Sequence, residues 1–267
     1  MKEVLVRFLS GALYVSIIFI TLFTSREWFI SLLFILAVIT LHEFLKLVDL
    51  KGYIAYLLLA LAFYFISYKG AEPIIILSIL AITLVVNIFL FKDVIIFNKL
   101  SLFRKRRYFC ILFYIITGFL FLSLIPSIGI TFEPKIILGI FILAWTNDTF
   151  AYLIGKRFGK RKLMEKISPK KTVEGFLGGM VGAMVASFFI FKYTSLFSLA
   201  IWLFLAIIVS VLGTTGDLIQ SKFKRLAGVK DSGKIMPGHG GVYDRLDSII
   251  YASPFIYAFL ILMKYVS

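Results

Sequence analysis

Stretches free of Asp, Glu, Lys and Arg recur along this chain, separated by short charged clusters. They cover roughly residues 8–25, 28–42, 52–68, 73–91, 108–132, 136–154, 175–191, 193–216 and 248–263, the sixth broken by one charge, Asp148. A helix needs about 20 mostly apolar residues to cross the bilayer hydrocarbon, and shorter runs can recruit flanking residues. The pattern predicts an all-α integral membrane protein of about nine transmembrane helices. The first run follows Lys2 and Arg7 as a signal peptide would. Its 18 uncharged residues from Phe8 to Ser25, closed by no A-x-A-like site, fit an uncleaved span better. No internal repeat or low-complexity tract stands out. One polytopic domain is expected over 1–267, with N-terminal spans in 1–140 and the chemistry in 141–267.

The basic residues orient these spans. With the N-terminus placed inside, the inner segments hold 24 of the 29 Lys and Arg. The outer segments hold only Arg26, Lys69, Lys135, Lys192 and Lys264. Such an excess predicts a cytoplasmic N-terminus and puts the two longest charged loops, 155–174 and 217–247, on the cytoplasmic side. Composition agrees, since 61% hydrophobic residues exceeds the roughly half found in soluble domains. A net charge of +15 would suggest nucleic acid in a soluble protein. Here basic loops facing anionic lipid account for it, and no nucleic-acid partner is expected. The single Cys110 is expected to pack as a small hydrophobe, and the basic cluster Arg104 to Arg107 to act as a topology determinant.

Candidate chemistry gathers in the last long loop. Between Asp217 and Asp247 lie four carboxylates (Asp217, Asp231, Asp244, Asp247) and six cations (Lys222, Lys224, Arg225, Lys230, Lys234, Arg245). Asp244 and Asp247 are three apart in DRLD, which on a helix puts both on one face. The Pro237 to Gly241 segment ahead of them cannot be regular helix and lets the backbone turn or approach a ligand. Asp217 is expected to end the preceding span, where Gly213 and Gly216 allow close packing. Three carboxylates from two helix ends can then converge, and such hard oxygen ligands select Mg²⁺ or a similar cation. The plainer alternative is that the acids only pair with Arg245, Lys222 or Lys224.

Two further stretches bear on a site. Asn147 and Asp148 interrupt the sixth span about two turns from its inner end, where ionisable groups are costly and point to function or to a buried hydrogen bond. The run SPKKTVEGFLGG, Ser168 to Gly179, reads as a basic turn with Thr172 capping the next span. Lys170 and Lys171 beside a helix N-terminus suit an anion, or serve simply as a positive-inside anchor. The small-residue pairs 175/179 and 178/182 indicate tight helix packing. His42 and Glu43 at the inner end of the second span either form a site or, the favoured expectation, reach for the interface. His239 either donates to a phosphate or ties down its turn.

The run from Ser221 to Asp247, S-K-F-K-R-x4-K-D-S-G-K-x2-P-G-H-G-G-x2-D-R-x-D, resembles the signature of phosphatidate cytidylyltransferases, also called CDP-diacylglycerol synthases. NDTFAYLIGKRFGK and SPKKTVEGFLGG resemble the same family, so the matching segments reach from about Trp145 to Asp247. The resemblance implies an Mg²⁺-dependent reaction, with one ion or two, of CTP with phosphatidic acid to give CDP-diacylglycerol and pyrophosphate. It further implies a site facing the cytoplasm in the cell's inner (plasma) membrane. Asp217, Asp244 and Asp247 would bind metal, with Asp148 as a further ligand or an orienting group. Lys224 and Arg225 would act on the reacting phosphates. Ser168, Lys170, Lys171, Thr172, Ser221, Lys222, Lys234, His239 and Arg245 would contact CTP or the lipid phosphate. Partners would be the bilayer, both substrates and, as one oligomeric option, a second copy in a homodimer. The rival readings are a CTP-dependent kinase of the polyprenol or dolichol type, and an ion-coupled transporter. Against the transporter, the acids crowd the inner ends of the spans rather than the midplane.

Overall fold

The computed structural model describes residues 2–96, 107–238 and 240–266. Its helices are α1 (Lys2–Thr24), α2 (Arg26–Leu47), α3 (Tyr53–Tyr68), α4 (Pro73–Val94), α5 (Arg107–Ser127), α6 (Pro134–Phe158), α7 (Val173–Thr194), α8 (Leu199–Leu226) and α9 (Tyr243–Val266). Among the described residues, seven of them, α2 and α4 to α9, are long and apolar enough to cross a membrane. Over Leu9–Thr24, α1 is a shorter apolar helix, as is α3. Large apolar side chains such as Leu13, Leu57, Ile74, Val181 and Phe189 stand exposed on the outside. That surface suits lipid, where helices alone satisfy every backbone group internally.

Local signals set the helix limits. Ser25 accepts from the Trp28 N–H at 3.3 Å, and Thr172 accepts from the Gly175 N–H at 3.1 Å, as the sequence predicts for Thr172. Pro73 and Pro134 open α4 and α6, where the missing N–H costs nothing. Beneath the charged end, Phe44, Tyr114, Phe223 and Tyr243 stack edge-on and face-on, with Phe44 and Phe223 centroids 5.1 Å apart. The Tyr114 and Tyr243 hydroxyls meet at 2.9 Å. This aromatic knot joins α2, α5, α8 and α9. Cys110 is buried among apolar side chains, as expected. Arg107 donates to the Val48 carbonyl at 3.1 Å, so it also clamps the end of α2; Arg104 to Arg106 lie outside the described residues.

Two expectations need correction. α8 does not end near residue 216 but runs on to Leu226, so Asp217 lies within a helix and the loop shrinks to 227–242. The reason is a second burial pattern beyond the apolar run: Leu218, Ile219, Gln220 and Phe223 are buried against neighbouring elements. The charged Ser168–Lys171 segment is not a turn either. It forms β2 (Ser168–Thr172), antiparallel to β1 (Lys162–Met164), and Ile167 is fully buried beneath the hairpin.

Small residues set the helix spacing at the charged end. A Cβ on Gly179 would lie 2.7 Å from the Asn147 carbonyl, and one on Gly175 2.7 Å from that of Ala151, so the small-residue stripe of α7 does pack on α6. A Cβ on Gly216 would come within 2.6 Å of the Asp247 carbonyl, whereas one on Gly213 has 3.5 Å to Ser248. Gly216→Ala is therefore expected to force α8 from α9 at the cost of overpacking, about 1–3 kcal/mol, while Gly213→Ala holds or gains stability through helix propensity. Thermal unfolding of both variants in detergent checks this, and equal melting temperatures would contradict it.

Candidate active site

The charged ends of α6, α7, α8 and α9, with the hairpin and α1, line a cavity of about 940 Å³. That is at the upper end for a small-molecule pocket. Of the residues singled out from the sequence, Asp148, Lys170, Lys171, Thr172, Asp217, Asp244, Arg245 and Asp247 line it. Ser168, Ser221, Lys222, Lys224, Arg225 and Lys234 are not among its walls. His239 lies outside the described residues. Asp231 is exposed.

Asp244 opens α9 and is nearly enclosed, its side chain 6% exposed. Oδ1 accepts from Lys224 Nζ at 2.7 Å and Gln220 Nε2 at 3.1 Å. Oδ2 accepts from the Ser232 N–H at 2.8 Å, the Gly241 N–H at 2.9 Å and Ser232 Oγ at 3.0 Å. Gln220 and Lys224 reach it because α8 continues as a helix and presents them four residues apart on one face. Lys224, which the sequence offers as a phosphate ligand, thus spends its ammonium on a carboxylate. The Gly238 and Gly240 turn makes this possible, with φ of 74° and 87°, and a Cβ on Gly240 would press within 2.7 Å of Asp244 Oδ2.

One turn further along α9, Asp247 lies beside Asp217 of α8, and their carboxylates interact directly. Asp247 Oδ1 also accepts from the Ser248 N–H at 2.9 Å. Two buried carboxyl groups side by side, with Asp247 only 7% exposed, are tolerated only with a proton shared between them or a cation beside them. Lys171 of β2 supplies a cation through a short ion pair with Asp217. Its reach depends on Glu174, which fixes the hairpin by accepting from the Lys160 and Arg161 N–H groups at 3.0 and 3.1 Å and from Arg161 Nε at 3.0 Å. Asp148 opens to the cavity, takes Asn147 Nδ2 at 3.3 Å, and has Asp217 and Lys171 as electrostatic neighbours. Asn147 Oδ1 is buried without a partner in the structure.

Among the described residues, no three His, Cys, Asp or Glu side chains are gathered tightly enough to coordinate one ion. The donor chemistry nonetheless fits a hard divalent cation: Asp217, Asp247 and Asp148 are oxygen donors on one cavity, and two of them are in direct contact. Asp244 fits less well as a ligand, because both its oxygens already accept protein donors.

Sequence reading missed several neighbours. Tyr14 and Gly11 of α1, with Lys156 and Lys162, also line the cavity. Gln220 is fully buried on Asp244. Glu43 departs most from expectation: it does not reach for the membrane interface but is buried at 3% exposure among the Ser232 hydroxyl and the Val242 and Tyr243 N–H groups. Three inward donors outweigh the pull of solvent there. The Gly233 and Gly241 positions, both crowded by Glu43, were the one hint in the sequence, but they signal closeness without naming the neighbour. His42, by contrast, is exposed, with Nδ1 3.2 Å from the Tyr56 hydroxyl.

Fold and cavity together define a multi-pass helical membrane protein whose acids and cations gather around a cavity at one end of the bundle. The chain belongs to the cytidylyltransferase family, whose sequence profile matches residues 5–263 and so extends well beyond the motifs between Trp145 and Asp247. A phosphatidate cytidylyltransferase of Staphylococcus haemolyticus is 35% identical over 239 residues, 86% of this chain and 88% of that protein. One of Staphylococcus saprophyticus is 43% identical over 150 residues, 55% and 56% of the two chains. One of Staphylococcus epidermidis is 35% identical over 237 residues, 85% and 88%.

The Lys224–Asp244 pair is buried on both sides, 12% and 6% exposed. Removing one partner of such a pair costs about 3–5 kcal/mol, because the other charge stays behind. Lys224→Met is therefore expected to lower the melting temperature more than Arg225→Met, whose side chain is exposed. Equal effects in a thermal-shift assay would contradict the role given to Lys224.

Proposed function

We propose that this protein transfers a cytidylyl group from CTP to phosphatidic acid, forming CDP-diacylglycerol and pyrophosphate. The observation that carries the reading is the single cavity that holds Asp148, Asp217 and Asp247 together with Lys170, Lys171 and Arg245. Membership of the cytidylyltransferase family and the similarity to phosphatidate cytidylyltransferases support it.

A phosphate oxygen of phosphatidate attacks the α-phosphorus of CTP, and the bond from that phosphorus to the β-phosphate bridging oxygen breaks. The attacking oxygen is already anionic at neutral pH, so no strong general base is needed. The work is to bring two anions together and to stabilise the departing pyrophosphate. Lys170, Lys171 and Arg245 neutralise phosphate charge in the cavity, and Lys171 is released from Asp217 when a phosphate or a cation takes over one side of that pair. Lys224 stays with Asp244 and holds the α8–α9 junction rigid. Mg²⁺ held by Asp217 and Asp247, with Asp148 ligating or orienting, would neutralise charge on the transferred phosphoryl group.

This reading carries the nine-span arrangement with a cytoplasmic N-terminus, a cytoplasm-facing site in the inner (plasma) membrane, and a chain working alone or as a homodimer. The location follows from where CTP and the basic segments lie. The direct test is incubation with CTP, phosphatidate and Mg²⁺, followed by mass analysis. CDP-diacylglycerol with pyrophosphate is expected, and EDTA should abolish it. Formation of CDP from labelled CTP on a lipid alcohol would instead identify a lipid kinase, and substrate flux into sealed proteoliposomes without CTP a transporter.

Asp247→Asn separates catalysis from folding. It relieves the crowding of two buried acids while keeping the shape and a donor toward Asp217, so the melting temperature should hold or rise. Cytidylyl transfer should fall at least about 100-fold, the order of loss expected when an electrostatic group of the transition state is removed. Transfer at the wild-type rate would refute the metal-binding role.

A further inference from the structure

We infer that Glu43, in the second helix and outside the charged C-terminal motifs, is the positioning residue that sets Asp244 and the 231–242 loop for catalysis. The inference rests on the cytidylyl-transfer reading.

Glu43 is 3% exposed, and its three hydrogen-bond donors are neutral. Oε1 accepts from the Val242 N–H at 3.1 Å. Oε2 accepts from the Tyr243 N–H at 2.9 Å and Ser232 Oγ at 2.9 Å. Val242 and Tyr243 are the residues at which α9 begins, and the first N–H groups of a helix have no partner within it. Glu43 is thus a cap supplied to α9 by another helix, with its negative charge at the positive end of the α9 dipole. A carboxylate suits this place better than a hydroxyl cap, because its two oxygens span donors from both the loop and the helix.

Ser232 Oγ is also 3.0 Å from Asp244 Oδ2. Its single proton lies between two carboxylates and goes to one at a time, so Glu43, Ser232 and Asp244 form one unit. A Cβ on Gly233 would sit 2.8 Å from Glu43 Cδ, and one on Gly241 2.6 Å from the same atom. Two glycines of the charged segment therefore leave room for an acid contributed from about 190 residues earlier in the chain, as the Ser232–Glu43 separation of 189 shows. The N-terminal helices, which supply few residues to the cavity wall, act on the site through this contact.

The test is a double-mutant cycle of Glu43→Ala, Glu43→Gln, Ser232→Ala and Glu43→Ala/Ser232→Ala. Each is purified in detergent and normalised to folded protein. Turnover, KM for CTP, and the rise in melting temperature on adding CTP are measured. Glu43→Ala should cut turnover about 10–100-fold per folded molecule, the usual loss when a group orienting an active-site ligand is removed. Its CTP-induced stabilisation should shrink in parallel. Glu43→Gln should recover only part of both, since its amide oxygen still caps one N–H at the start of α9 while its NH₂ faces the other. The double variant should be no worse than Glu43→Ala alone, the signature of one coupled unit. If Glu43→Ala does not fold, Ser232→Ala and Glu43→Gln with their double variant close the same cycle. Wild-type turnover and CTP stabilisation per folded molecule in Glu43→Ala, or additive effects in whichever cycle is complete, would overturn the inference. A wild type that is stabilised by CTP but forms no CDP-diacylglycerol would sink the proposed reaction alone, since the CTP-stabilisation cycle still reads the positioning role.

Discussion

A buried carboxylate at a helix start is the constraint on which the charged end of this protein is built. Asp244 accepts five hydrogen bonds, from a lysine and a glutamine of α8, a serine hydroxyl, and two loop N–H groups. A charge so enclosed is tolerated only when every lone-pair direction is met and a counter-ion is present. Meeting that demand requires α8 to continue three turns past its apolar run, the loop to fold back over α9, and glycines wherever a side chain would crowd the acid. Once these are in place, Asp247 is carried onto the same side of α9 and brought against Asp217.

The second acid pair has the opposite character. Asp217 and Asp247 are acids in direct contact, with the Lys171 ammonium on Asp217. Asp244 is thus a closed structural charge, whereas the Asp217–Asp247 pair opens onto the cavity. A phosphate-handling site needs both: fixed geometry, and charge that exchanges partners when substrate arrives. Asp148 and Lys170, on the facing walls of the same cavity, widen the open part.

Much of this was legible in the chain. The helices fall close to the uncharged runs, because apolar length is what a bilayer selects. Thr172 caps α7 and the glycines of α7 lie against α6, as local chemistry dictates. The signature run from Ser221 to Asp247 marked the acids. What could not be read was where a charged stretch folds. Gln220, Lys222, Lys224 and Arg225 look like loop by hydropathy, yet they belong to α8, since burial of Leu218, Ile219 and Phe223 comes from partners that only the tertiary fold supplies. The hairpin escaped notice for a related reason: three- and five-residue strands carry too short a pattern to outweigh their lysines.

By itself, the sequence determined the helical membrane class, the set of acids and cations, and the family they mark. These follow from hydrophobic length and from residue types at short spacing. The tertiary structure alone decided which acid is closed and which is open. It showed that Lys224 pairs with Asp244, and that Glu43 is buried against the segment leading into α9. A carboxylate's role depends on the donors within about 3 Å of its oxygens. In this fold those donors come from residues up to 200 positions away along the chain.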